Sequence, residues 1–198
     1  MNELEELTLI GLHPQLAKCF VPLPKFVEPR DELTPADLYK SFHQLFRCPE
    51  AKVVRDVVFV WTVDTPYVHD QGNNSLSHFV YIEKTKNTMW GRWSNEYLRR
   101  VTTDFDDRLI TCDANSIRAH ADANRNFAFF SYLIRHHGPL RVWWASSEQL
   151  NKAASSYPYN SEAWEGHLLA LYLTKYGCRP LKNRRGGRLL NDVPTEGW

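Results

Sequence analysis

The sequence predicts one α+β domain, a central and mostly antiparallel sheet with helices on its faces and one parallel βαβ unit. Three observations predict it. The 198 residues contain no repeat, low-complexity tract or linker that would divide them, and 43% of them are hydrophobic, enough to fill a single core. The order of elements reads helix, several strands, helix, strand, helix and short strand, a mixture rather than a strict alternation. From Val57 to Val63 both alternating faces are apolar, the mark of a strand covered on both sides and central in its sheet.

Each element has its own signal. Residues 4–10 read as a first strand. Pro14, Pro22, Pro24, Pro29 and Pro35 fall within residues 13–35, so an extended surface arm is expected there, because proline fixes φ and removes a backbone donor. Thr34-Pro35-Ala36-Asp37 starts a helix, with a capping hydroxyl, proline in the first turn and an acid to meet the helix dipole. That helix runs to Phe46 and buries Leu38, Phe42, Leu45 and Phe46 on one stripe. Residues 53–63 form the central strand. Residues 76–83 and 88–93 read as a hairpin around Lys84-Thr85-Lys86-Asn87. The segment between them and the central strand, residues 64–75, is long enough to serve as a substrate lid or a partner-contacting loop.

Residues 108–112 read as a further strand, with Cys112 the cysteine expected to be most buried. A helix then starts between Asn115 and Asn124. It turns Phe127, Phe130, Leu133 and Ile134 inward and stops at Gly138-Pro139. Residues 140–145 form another strand and residues 148–154 a short helix. A capping Ser161 opens a helix that ends at Gly177 with Lys175 in its last turn. Residues 188–190 read as a last short strand.

Several function classes are excluded or set aside. The chain is too rich in Trp, Tyr, Phe and Val for disorder, and no apolar run approaches the roughly 20 residues of a spanning helix. The acidic start Met1-Asn2-Glu3-Leu4-Glu5-Glu6 lacks the pattern of a signal peptide. Cys19, Cys48, Cys112 and Cys178 form no C-x-x-C pair, so no metal site is expected and the thiols read as reduced, in a cytoplasmic protein without membrane contact. No P-loop, G-x-S-x-G or HExxH motif occurs.

What remains is a charge asymmetry and a helix start. Residues 175–188 contain Lys175, Arg179, Lys182, Arg184, Arg185 and Arg188 and no acid, while the rest of the chain is net acidic. Such polarity favours an anionic partner. The strand at 109–112, the helix after it and the strand at 140–145 make a βαβ unit, whose helix N-terminus offers free N–H groups to a phosphate. The residues there are Arg118, His120, Ala121, Asp122, Ala123 and Asn124.

The pattern Arg118-x-x-Ala121-x-Ala123 resembles the pyrophosphate-binding motif of the GCN5-related N-acetyltransferase family, with alanine where that family has glycine. The run from Leu169 through Tyr172 to Gly177-Cys178 is similar to a second motif of the family, with cysteine in place of an aromatic residue. The resemblance implies a GNAT-like fold and acetyl-coenzyme A as cofactor, held by residues 118–124. It implies transfer to a small amine, a protein lysine or a protein N-terminus, with Tyr172 as proton donor to the leaving thiolate. For the base, the residues leave His69, Asp70 and His78 open. Asp122 beside the phosphates and the extra residues at 146–161 depart from the family pattern.

The alternative is a non-enzymatic binding or inhibitor module. Trp90 and Arg92, placed by strand alternation on one face, would join Lys182, Arg184, Arg185 and Arg188 in contacting a protein or a nucleic acid.

Overall fold

The computed structural model describes residues 3–30, 33–68, 75–93, 126–155 and 158–183. In chain order these form α1 (Glu3–Leu9), α2 (Pro14–Ala17), β1 (Val21–Pro22), α3 (Pro35–Phe46), α4 (Pro49–Val53), β2 (Val57–Val68), β3 (Leu76–Thr85), α5 (Met89–Arg92), α6 (Asn126–His137), β4 (Leu140–Ser146), α7 (Ser147–Ala154) and α8 (Ser161–Tyr176). The strands make one sheet in the order β1-β4-β2-β3, and every pair is antiparallel.

The doubly apolar run does become a central strand. Val57, Phe59, Trp61 and Val63 face α3, α5 and α6, whereas Val58 and Val60 face α1, α2, α7 and α8. The first side also holds Leu38, Phe42, Leu45, Phe46, Phe130, Leu133 and Ile134, all fully buried as their helical spacing requires. α3 begins with a complete capping box: Asp37 N–H donates to Thr34 Oγ1 at 3.1 Å, and Thr34 N–H donates back to the Asp37 carboxylate at 3.1 Å. Asp56, at φ +50°, ties two helices to β2. Its carbonyl accepts the N–H of Ser147 at 2.9 Å, and its carboxylate accepts that of Ser161 at 3.0 Å, so α7 and α8 both start beside it. Gly177 closes α8 at φ +70°, with its N–H on Leu173 O, the stop expected there.

The structure corrects the sequence reading in several places. Residues 4–10 lie in and just after helix α1, with Glu6, Leu7 and Ile10 buried on its inner side. The proline-rich arm is an edge of the sheet rather than a surface wrap. β1 pairs with β4, Leu23 N–H donates to Val142 O, and Val27 bridges Leu140. Proline suits that place, since an outermost strand can do without one donor. Residues 89–92 are helix α5, because the Thr88 hydroxyl caps Gly91 N–H at 3.0 Å and turns the chain. The hairpin partner of β3 is therefore β2, and residues 64–68 belong to that strand rather than to a loop. Residues 49–53 are helix α4, so the central strand starts at Val57 rather than Val53. The α8 cap is Asn160, one residue before the serine expected.

No strand pair is parallel among the described residues. β4, expected to run parallel to 109–112, has β2 along one edge and residues 21–27 along the other, both antiparallel. The segments at 108–112 and 188–190, and Cys112 with them, lie outside the described residues, as do the side chain of Phe127 and the helix start sought between Asn115 and Asn124.

Candidate functional site

Two of the predicted partner-binding residues, Arg92 and Lys182, meet at β3, which lies at the end of the described sheet opposite β1. After α8 the chain turns back onto that edge. Lys182 N–H donates to Val80 O at 3.0 Å. Asn183 then clamps Ile82 from both sides, accepting its N–H at 2.8 Å and donating to its carbonyl at 2.5 Å. Only 5% of Asn183 is exposed, and its side chain works as a substitute strand residue on the outer edge of β3. Arg184 and Arg185 follow it directly in sequence.

Arg92 reaches the same strand through Glu83, with Nε at 3.0 Å and Nη2 at 2.8 Å from one carboxylate oxygen. Glu83 is 2% exposed, so a buried carboxylate holds this guanidinium in place. Trp90, in the same short helix, is half-buried, with the His43 ring edge-on at 5.1 Å and Lys52 Nζ 5.8 Å from its centroid. Trp93 is wholly buried and stacks on Phe46 at 4.4 Å. No tryptophan among the described residues is exposed. On the other side of the sheet edge, burial and the neighbouring Glu83 charge push the Glu165 carboxyl up to about 7.

Tyr172 sits in a separate, interior cluster. Between Thr62↔Phe79 and Tyr67↔Ser77 the β2–β3 pairing slips, leaving residues 63–66 opposite His78 alone. Glu6 of α1 fills the gap in the ladder. Its carboxylate accepts His78 N–H at 2.7 Å, the Ser77 hydroxyl at 2.6 Å and the Tyr176 hydroxyl at 2.8 Å. Tyr172 donates to Ser77 Oγ at 2.7 Å, and the Tyr67 hydroxyl, which donates to Phe79 O, lies 3.4 Å away. Burial raises the pKa of all three phenols above the ordinary tyrosine value, so they stay protonated. His78 is also interior, with Nδ1 donating to Val63 O at 2.8 Å.

No family model, curated protein or solved structure matches this chain. The structure brings Arg92 and Lys182 to β3, Trp90 against His43 and Lys52, and Tyr172 to the interior cluster. His69, Asp70, Arg118, His120, Ala121, Asp122, Ala123, Asn124, Arg184, Arg185 and Arg188 lie outside the described residues. Among the described residues no group of three or more His, Cys, Asp or Glu side chains could hold a metal ion, and no helix is long and apolar enough to cross a membrane.

Sequence reasoning missed Glu6, Glu83 and Asn183. Asn183 carried a usable signal, a neutral residue within a run of cations. Glu6 carried none, since an acid in an acidic terminal segment reads as solvated.

Proposed function

We propose that this protein is a non-catalytic binding module whose basic C-terminal segment, residues 175–188, engages an acidic protein surface. The observation that carries this reading is the Asn183 clamp. It fixes the middle of the basic segment to the edge of the sheet, so the cations next to it in sequence start from a rigid point, and less entropy is lost when they meet a partner. A nucleic acid is the less favoured partner, because single strands are held by bases stacking on open aromatic faces. Trp90 is flanked by His43 and Lys52, and the other described tryptophans are buried or half-buried within the fold.

The acetyltransferase reading depends on residues 109–124, and on Tyr172 as a proton donor. The 0% exposure of Tyr172 and its bond to Ser77 favour a packing role for that residue.

Thermal unfolding of the full chain, at low and at high salt, tests the readings together. Poly-glutamate, as a stand-in for an acidic protein surface, is expected to raise the midpoint at low salt only. The shift should vanish when Arg184, Arg185 and Arg188 are replaced by glutamine. A ligand at 100 times its Kd stabilises by about 2.7 kcal/mol, a shift of a few degrees. A larger shift with a single-stranded oligonucleotide would replace the protein partner by a nucleic acid. A shift with acetyl-coenzyme A that is lost when Ala121 is replaced by a bulkier residue would overturn the binding-module reading in favour of the enzyme.

A further inference from the structure

Helix α3 has two sides of opposite character. Leu38, Phe42, Leu45 and Phe46 point into the core, while Lys40, His43 and Arg47 repeat at i, i+3 and i+7 on the outward side. Helix α4 and the residues after it continue this surface with Lys52, Val53 and Arg55, all exposed. Residues 38–55 therefore carry Lys40, Arg47, Lys52 and Arg55 against a single acid, Glu50, although the chain outside residues 175–188 is net acidic. Asp37, one turn before Lys40, is taken up by its cap bonds with Thr34 and an ion pair with Arg30 at 3.7 Å.

Trp90 of α5 ties the two helices together. The His43 ring of α3 meets it edge-on at 5.1 Å, and Lys52 Nζ of α4 lies 5.8 Å from its centroid. Trp90 also packs against the aromatic core, so this meeting point is anchored. Val53, between Lys52 and Arg55 in sequence, is 74% exposed, an aliphatic side chain with cations on both sides.

An exposed ion pair contributes little by itself, whereas an apolar side chain ringed by polar contacts can anchor an interface. A partner that gains from this surface must therefore supply acids and an apolar side chain together. The surface also connects with the basic C-terminal segment. Arg92, two residues after Trp90, holds Glu83, and the neighbouring Ile82 is where Asn183 is clamped.

We propose that the α3–α4 face, centred on Trp90 and Val53, is a second contact surface for an acidic protein segment that carries an apolar side chain. This rests on the partner being an acidic protein, and it names a feature that such a partner must have.

Calorimetric titration of the full chain at low salt with poly-glutamate and with a glutamate–tyrosine copolymer tests the surface. The copolymer is expected to bind about tenfold more tightly than poly-glutamate. Lys40→Gln, Arg47→Gln and Lys52→Gln together should weaken copolymer binding about tenfold, and Val53→Glu should do the same with no cation removed. Lys18→Gln, Lys25→Gln and Lys152→Gln together make an equal charge change at exposed cations elsewhere and should leave the affinity unchanged. The proposal is overturned if the two three-cation variants bind alike, if Val53→Glu binds as the parent does, or if the copolymer has no advantage. A single-stranded oligonucleotide that binds more tightly than the copolymer would overturn it as well. Replacing Arg184, Arg185 and Arg188 by glutamine separates this surface from the basic segment. If that variant alone loses affinity, the α3–α4 surface fails and the basic segment stands. If the α3–α4 variants alone lose it, the basic segment fails and the α3–α4 surface stands.

Discussion

On one side of the sheet, Trp61 is ringed by Phe42, Phe46, Trp93 and Phe130 at centroid distances of 5.8, 5.7, 4.6 and 5.4 Å. On the other side, at the β2 irregularity, a carboxylate, a serine and three tyrosine hydroxyls bond to one another in the interior. The aromatic side obtains its stability from area and shape, which tolerate small errors of angle. The polar side depends on each donor finding its acceptor, because an unmatched buried group costs more than a matched one contributes. The lesson is that one sheet can be held by two kinds of interaction with different failure modes. The polar one lies where the strand pairing is broken.

The largest expected effect belongs to the aromatic side. Trp61→Ala should destabilise by about 3–5 kcal/mol, since it empties the centre of the ring cluster. Chemical denaturation would measure it. Glu6→Ala comes next, at about 2–4 kcal/mol, because it strands the Ser77 and Tyr176 hydroxyls and the His78 N–H together. Glu6→Gln keeps an acceptor and should cost less than Glu6→Ala. If the two Glu6 variants were equally stable, shape rather than hydrogen bonding would hold this side, and the contrast between the faces would fail.

The smallest effect is a slope with pH. Burial and the Glu83 charge raise the Glu165 carboxyl to about 7, so the folded protein holds this proton more tightly than the unfolded chain does. Stability from this group is therefore present in acid, and it declines as pH rises from the unfolded carboxyl range through about 7. Melting midpoints between pH 5 and 8 should show a shallower decline in Glu165→Gln than in the parent.

The aromatic side was far more legible in the sequence than the polar one. Phe42 and Phe46 in α3, and Phe130, Leu133 and Ile134 in α6, repeat at helical spacing and all turn inward. The Thr34 and Gly177 boundary signals act within a few residues and hold in the structure. The polar side joins residues far apart in the chain, Glu6 with Ser77 and Tyr176, and no local pattern announces such a bond. The same distance hid the role of residues 21–27. Their prolines are visible, whereas their pairing with β4 is set by the sheet's need for an outer neighbour. Leu4 through Ile10 misled for another reason. A run of seven residues fits both a strand and a helix, and the burial of Glu6 removes the contrast that would decide between them. Of the candidate site residues, Arg92 and Lys182 reach β3. The Trp90–Arg92 strand face does not form, because a threonine cap four residues before Arg92 makes a helix there instead.

The Asn183 clamp has one more consequence. Val80 O and both backbone groups of Ile82 are the outward rungs of a strand whose other side is already paired. Left bare, such rungs can template a strand from another molecule. A chain shortened to end at residue 181 would lose its Ile82 cover along with its downstream cations. Its expected symptom is concentration-dependent self-association through β3.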